Sequence, residues 1–109
     1  MAKHEFGRMP APPAADKRYD EYEPWHYRCI ALEDEAVERL DLCWQTLPCY
    51  WHTRTVSGKG LAYCGITLIP PESLEQALAA MPTDEMYQEL RELLKTADNL
   101  RQWVIHFGI

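Results

Sequence analysis

The chain has 109 residues, of which 47% are hydrophobic and 26% are charged, and its formal net charge is −6. This composition is typical of one folded domain and excludes a disordered chain. The apolar runs fall far short of the ~20 residues that a membrane-spanning helix needs. The excess of acidic groups argues against direct binding to nucleic acid, which requires clustered lysine and arginine.

The first 18 residues, MAKHEFGRMPAPPAADKR, have the composition of a flexible tail. Prolines there are separated by small residues, a pattern that favours an extended and unpacked chain. Residues 1–10 lack the apolar segment of a secretory signal peptide. We therefore expect a flexible Pro-rich tail over residues 1–18, a single α+β domain over residues 19–109, and a cytoplasmic protein.

The four cysteines lie in apolar or aromatic runs of the sequence: Cys29, Cys43, Cys49 and Cys64. None of them belongs to a Cys-x-x-Cys pair, so their spacing does not indicate a zinc site or a redox pair. A reduced cysteine in such a run behaves as a small hydrophobic residue. We therefore expect buried free thiols, and no cofactor or metal ion.

The first part of the expected domain predicts a strand followed by a helix. Trp25–Leu32 is rich in residues that favour β-strands. Three acidic residues, 33–35, come next and suit the positively polarised first turn of a helix. Apolar residues then recur at helical spacing until Pro48, which ends the predicted helix near Thr46.

A β-hairpin is predicted next, because two β-rich runs, 49–56 and 61–69, flank a turn that contains two glycines. In the register that this turn implies, Tyr50 lies opposite Thr67. Side chains then alternate between an apolar face, which suits packing under helices, and a polar and aromatic face.

Two further helices and a final strand follow the hairpin. Pro71 suits the first position of a helix whose apolar stripe extends to Met81. Thr83 is a good N-cap for a third helix, which ends at Asp98. Residues 101–109 alternate and predict the last strand. The predicted fold is therefore an α+β two-layer sandwich, a small and mainly antiparallel sheet with helices on one face, in the order β-α-β-β-α-α-β.

Two segments carry a resemblance to known proteins. GLAYCGITLIPPESL (Gly60–Leu74) and WVIHFGI (Trp103–Ile109) resemble segments of small uncharacterised bacterial proteins found on mobile elements. The resemblance covers these two segments alone and implies no functional residue, activity or cofactor.

One face of the predicted sheet gathers basic and aromatic side chains that can bind a ligand or partner. We expect seven residues on this face: His26, Arg28, Tyr50, His52, Arg54, Tyr63 and His106. Gly65 opposite His52 leaves a hollow that a ligand can enter. Such a concavity suits a carboxylate, a phosphate or an acidic segment. The alternatives are an ordinary solvated sheet face, a homodimer interface, or a surface that the tail covers.

The predicted helices concentrate negative charge on their exposed faces. Six acidic residues form the expected acidic partner face: Asp34, Glu38, Asp41, Glu85, Glu89 and Glu92. We therefore expect a small acidic, non-enzymatic protein-interaction module that binds a basic protein, and that inhibits a nucleic-acid-handling protein by imitating its phosphates. The alternative is a small-ligand-binding domain or a small enzyme that uses the His/Arg/Tyr face. Neither hypothesis involves a membrane or direct contact with nucleic acid.

Overall fold

The computed structural model describes residues 3–109, in which helices pack on one face of an antiparallel sheet. Within these residues the sheet has six strands, which are β1 (Lys3–Arg8), β2 (Ile30–Glu33), β3 (Pro48–Trp51), β4 (Ser57–Lys59), β5 (Ile66–Ile69) and β6 (Val104–Phe107). The same residues form three α-helices, which are α1 (Asp34–Cys43), α2 (Pro71–Ala80) and α3 (Gln88–Leu100). Short 3₁₀ turns lie at Pro24–His26 and Glu85–Tyr87. The expected α+β fold is confirmed.

Strand β1 lies inside the sheet, which corrects the predicted tail over residues 1–18. β1 pairs with β2 on one side and with β6 on the other, and the side chains of His4 and Phe6 are fully buried. The run KHEFGR alternates as a strand does, and burial between two partner strands outweighs the proline-rich composition that follows it. The first two residues of the expected tail lie outside the described residues.

The order of strands is β2-β1-β6-β5-β3-β4, so that β2 and β4 form the two edges of the sheet. The strand predicted over Trp25–Leu32 is shorter in the structure, because the chain turns before it. Pro24–His26 forms a 3₁₀ turn, and Arg28 adopts a left-handed φ of 50°. A residue with positive φ interrupts an extended strand, and β2 therefore begins only at Ile30.

A three-stranded arrangement replaces the predicted hairpin. Strand β3 pairs with β5 and also with β4, which occupies the segment expected to be the turn. Tyr50 lies opposite Leu68, one residue from the predicted register. The reason is that the chain leaves β3 at His52, where φ is 65°. Gly58 then packs against the ring of Trp51, where a Cβ atom would lie only 2.4 Å from a ring carbon.

The helices begin close to the positions that the sequence predicts. Two acidic residues occupy the first turn of α1, and Pro71 is the first residue of α2. The third helix begins later than expected from Thr83, because a 3₁₀ turn precedes it, and it ends at Arg101 with a left-handed φ of 54°. Within residues 3–109, no helix combines the length and the apolar character needed to cross a bilayer.

Both faces of the sheet are buried. The helix face carries the larger core, to which all three helices contribute. On the opposite face a smaller cluster lies under residues 9–29, the covering segment that joins β1 to β2. Its buried members are Ile66, Leu68, Ile105 and Phe107 of the sheet together with Met9 of the covering segment. Tyr19, Tyr27 and Cys29 of the covering segment pack against this cluster. We call this side of the sheet the segment face.

Candidate functional site

The structure does not gather the seven expected ligand-binding residues on one face. His106 shows why, because Ile105 and Phe107 point to the segment face and His106 therefore points to the helix face, where it is fully buried. The sequence predicts His106 on the opposite, ligand-binding face of the sheet. Alternation separates the two faces of a strand, but it cannot assign them when both are buried.

Tyr50 and Arg54 remain close together on the segment face, next to Trp103. The ring of Tyr50 lies 5.6 Å from the Trp103 ring, and the guanidinium of Arg54 lies 5.7 Å from it. Arg54 also donates a hydrogen bond of 3.0 Å to the carbonyl oxygen of Pro13 in the covering segment. These residues thus hold the covering segment rather than an open ligand site.

His52 has the same role. Its Nδ1 lies 2.9 Å from the carbonyl oxygen of Tyr19 and 3.2 Å from Asp20 Oδ1. The amide of Tyr19 donates in turn to the carbonyl oxygen of His52, at 2.7 Å. The imidazole occupies the space over Gly65, where a Cβ atom would lie 2.6 Å from His52 Nε2. The hollow expected above Gly65 is therefore filled.

His26 and Arg28 line a separate cleft of about 220 Å³. Arg8 and Gln102 line it as well, and Arg8 donates a hydrogen bond of 2.8 Å to Gln102 Oε1. None of the residues that line this cleft is acidic. The cleft is a cationic concavity that two of the seven expected residues line.

Tyr63 and His106 belong to a hydrogen-bonded chain of side chains on the helix face, which we call the buried network. Its members are Asp34, His4, His106, Thr67 and Tyr63. His4 Nε2 lies 3.0 Å from Asp34 Oδ1, and His4 Nδ1 lies 2.9 Å from His106 Nε2. His106 Nδ1 lies 3.2 Å from Thr67 Oγ1. The hydroxyl of Tyr63 donates to Asp34 Oδ1.

The geometry fixes the protons of the buried network when both imidazoles are neutral. A carboxylate only accepts, so His4 Nε2 carries the proton and His4 Nδ1 accepts from His106 Nε2. His106 Nδ1 then accepts from the hydroxyl of Thr67, whose oxygen also accepts from the amide of Ala62 at 2.8 Å. Every hydrogen bond of this chain points toward Asp34.

The environment of the buried network favours this neutral arrangement. Burial, and next the nearby His4, lowers the pKa of His106 to about 3. The hydrogen bond from Tyr63, and next that from His4, lowers the pKa of Asp34 and keeps its carboxylate ionised. Burial and the hydrogen bond to Asp34 raise the pKa of Tyr63, which therefore stays protonated at neutral pH.

The buried network is suited to structure rather than to catalysis. His4, Thr67 and His106 have no exposed surface, and within the described residues every buried side-chain nitrogen or oxygen has a hydrogen-bond partner. A general base must reach a substrate, and these imidazoles have no path to one. The network therefore joins β1, β5 and β6 to the start of α1.

Burial disfavours two of the four cysteines, Cys29 and Cys49, as nucleophiles. Burial raises the pKa of both Cys29 and Cys49 to about 12, so these thiols stay protonated. All four cysteines are free, but Cys43 and Cys64 are exposed, which corrects the expectation that all would be buried. Over residues 3–109, no group of three or more His, Cys, Asp or Glu side chains is arranged to hold a metal ion.

Four of the six expected acidic residues are exposed, and we call these four together the acidic surface: Glu38, Glu85, Glu89 and Glu92. None of these four carboxylates takes part in an ion pair with another described residue. The other two residues are partly buried and have internal partners, since Asp34 belongs to the buried network and Asp41 accepts from the amide of Leu61 at 3.2 Å. The acidic surface is therefore smaller than expected.

The elements that carry the acidic surface are attached to one another. Arg39 of α1 forms a bidentate ion pair with Asp84, at 2.8 and 3.0 Å. The hydroxyl of Tyr87 donates a hydrogen bond of 2.7 Å to the carbonyl oxygen of Ala36, also in α1. These contacts hold α1 against the 3₁₀ turn from which α3 begins.

Sequence reasoning missed His4 and Thr67, which complete the buried network. The alternation of KHEFGR was the one local signal for His4, and its partner His106 lies 102 positions away in the chain. Thr67 was expected in the hairpin, but nothing near it in sequence indicates a histidine partner.

Comparisons with protein-family models, with curated proteins and with solved structures find no match for this chain. The resemblance of residues 60–74 and 103–109 to small bacterial mobile-element proteins therefore stays a prediction.

Proposed function

We propose that this chain is a non-enzymatic protein-interaction module that binds a basic protein through its acidic surface. The observation that supports this proposal is the set of four exposed carboxylates on α1, the 3₁₀ turn and α3, none of which is neutralised by an ion pair with a described residue. Unpaired surface charges of one sign raise the association rate with an oppositely charged partner and select against like-charged ones.

The proposed partner is a protein that handles nucleic acid, which the module inhibits by occupying its phosphate-binding surface. Phosphate-binding surfaces are rich in arginine and lysine, and carboxylates on a rigid helix can take the place of phosphates there. The net charge of −6 suits this role, and it opposes direct binding of the module to nucleic acid. Four free cysteines suit the reducing conditions of the cytoplasm, where the proposal locates the module.

A pull-down with matched variants tests this proposal. The tagged chain is incubated with nuclease-treated lysate at about 50 mM and 500 mM salt, because screening separates ionic from apolar binding. The quadruple variant Glu38→Gln, Glu85→Gln, Glu89→Gln and Glu92→Gln should lose the partner that the parent chain retains at low salt. The control variant Glu72→Gln and Glu75→Gln changes two exposed carboxylates of α2 and should retain it.

The identified partner is then tested for inhibition with labelled double-stranded DNA. The parent chain should displace the DNA, and the quadruple variant should do so about tenfold less well. A partner that binds the quadruple variant as tightly as the parent chain, or that stays bound at high salt, would contradict the proposal.

A second candidate function is the binding of a small anion in the cleft between Arg8 and Arg28. The absence of any acidic residue among those that line this cleft favours it. Inorganic phosphate and citrate, titrated separately, should then shift the amide signals of Arg28 and Gln102. The variant Arg28→Ala should abolish these shifts, and equal shifts in that variant would exclude the cleft as the site.

A further inference from the structure

The two edges of the sheet differ in how well they are protected. The edge strand β4 is short, contains Gly58, and ends at Lys59, which are features that discourage pairing with another strand. The opposite edge strand β2 reads Ile-Ala-Leu-Glu and has neither a proline nor a lysine. Within residues 3–109, no strand pairs with the outer side of β2. Its outward amides and carbonyls therefore offer a template for a further strand.

A groove of about 520 Å³ lies beside this open edge. Leu32 of β2, Ala36 of α1 and Tyr87 of the 3₁₀ turn line the groove and are buried. Met86 also lines it and leaves 54% of its surface exposed. An apolar groove next to an unpaired strand provides both elements of strand addition, main-chain hydrogen bonds and a pocket for alternate side chains.

The charges around the groove select the kind of segment that fits. Glu33 and Glu35 line the groove and are exposed. The one cation that lines it, Arg39, is paired with Asp84. The groove therefore presents net negative charge beside its apolar floor. A second copy of this chain would bring its own Glu33 and Glu35 to the shared edge, where like charges repel.

We propose that an extended segment of the basic partner, with alternating apolar and basic residues, pairs with the open edge of β2 and places its apolar side chains in the groove. This inference rests on the proposed function, since it names how the basic partner is held. The basic side chains of the segment, on alternate positions, lie near Glu33 and Glu35, and the neighbouring acidic surface extends the same field.

Synthetic peptides test this inference without knowledge of the natural partner. The probe is acetyl-Lys-Val-Lys-Val-Lys-Val-Lys-amide, and the control peptide places the same residues in two blocks, Lys-Lys-Lys-Lys-Val-Val-Val. Both carry the same charge and apolar area, so that only the alternating peptide fits a strand with one apolar face. We expect the alternating peptide to bind the parent chain about tenfold more tightly than the block peptide.

Variants and hydrogen exchange locate the bound peptide. Met86→Gln should weaken binding about fivefold by removing apolar contact, and the double variant Glu33→Gln and Glu35→Gln about tenfold. Glu72→Gln on α2 is the control and should have no effect. Saturation with the peptide should slow amide exchange in residues 30–33 about tenfold while leaving residues 57–59 of β4 unchanged.

Three outcomes would overturn this inference. One is no binding of the alternating peptide at about 1 mM. Another is concentration-dependent dimerisation that protects residues 30–33 without peptide, which would assign the edge to a second copy. The third is charge-dependent binding with unchanged exchange in β2 and no effect of Met86→Gln. That last result removes the docking inference and leaves the proposed function intact, whereas failure of the pull-down would remove the proposed function itself.

Discussion

On the helix face the sheet packs against three helices over a large apolar core, whereas on the segment face it is covered by residues 9–29, which contain no regular element beyond one 3₁₀ turn. The helix face also encloses the buried network, whose polar atoms bond to one another. The covering segment is attached to the segment face by scattered contacts instead. Examples are the hydrogen bonds of His52 with Tyr19 and of Arg54 with Pro13.

This difference indicates that the two faces contribute unequally to stability. Regular elements that share one core open together, whereas an irregular segment held by a few contacts can open by itself at a lower free energy. We therefore expect the helix face to determine global unfolding and the covering segment to exchange its amides more rapidly. The following variants test this contrast.

The largest effect is expected from Phe6→Ala, which leaves a cavity under the helices. Phe6 is fully buried and packs edge to face with Trp44. The free energy of unfolding should fall by about 3–5 kcal/mol, as measured by urea denaturation. Met9→Ala on the segment face should lower it by only about 2 kcal/mol, because the covering segment can collapse into the space. Equal losses would remove the contrast between the faces.

Acid should destabilise the helix face through His106. The folded-state pKa of His106 is lowered from 6.5 to about 3, so between these values the unfolded chain binds a proton that the folded chain does not. Stability therefore falls as the pH falls through this interval, by up to ~1.4 kcal/mol per pH unit. The pKa of Asp34 is also lowered, and its contribution is lost as the pH falls below the ordinary carboxyl value of 3.8, which begins at the acidic end of this interval.

Urea denaturation at a series of pH values measures this dependence. His106→Gln should be less stable at pH 7 and should lose most of the slope between pH 6.5 and pH 4. His26→Gln, a change at an exposed histidine, should keep the slope of the parent chain. A parent chain equally stable at pH 7 and pH 4 would show that His106 accepts a proton inside the fold.

A smaller effect is expected from Tyr63→Phe, which removes one hydrogen bond from the buried network. The free energy of unfolding should fall by about 1 kcal/mol. The pKa of Asp34 should rise toward its ordinary value, because the hydrogen bond from Tyr63 is the largest cause of its lowering. An NMR titration of the Asp34 carboxyl carbon measures this change. An unchanged pKa would mean that His4 alone keeps Asp34 ionised.

The smallest effects on the free energy of unfolding are expected from glycine substitutions at two residues with a left-handed backbone, Arg101 and His52. Arg101 ends α3 with a φ of 54°, so Arg101→Gly should raise the free energy of unfolding by about 0.5–1 kcal/mol. His52 has a φ of 65°, yet His52→Gly should give no gain, because its imidazole bonds to Tyr19 and fills the space over Gly65. Thermal denaturation compares the two variants. An equal gain in both would show that the attachment of the covering segment contributes nothing.

The sequence predicts the helices of this fold well, since their signals are local. Proline at position 71 and the acidic residues at 33–35 mark helix starts within one turn of the chain. The acidic residues at positions 35, 38, 89 and 92 of α1 and α3 are exposed, as helical periodicity implies. Asp34 and Asp41 of α1 are exceptions, because distant loop residues bond to them.

The parts that could not be predicted depend on distant partners or on unusual backbone angles. β1 becomes a strand because β2 and β6 enclose it, although the proline-rich sequence that follows it resembles a tail. The register of β3 depends on the positive φ of His52, and a histidine at that position does not predict a positive φ. Both faces of β6 are buried, so the alternation of side chains along the strand could not determine which face His106 occupies. These three causes together explain why the seven expected ligand-binding residues do not share one face of the sheet.

The place of β6 in the sheet has a consequence for the synthesis of this protein. β6 separates β1 from β5, so a nascent chain that has not reached residue 104 can form only two disconnected parts, β2-β1 and β5-β3-β4. Strand β6 joins them by pairing with β5, about 40 positions away in the chain, and with β1, about 100 positions away. The pairing with β1 slows folding through the entropy of closing a long loop. Ribosome-bound chains arrested before residue 104 should therefore expose apolar sheet surface and depend on chaperones until β6 emerges.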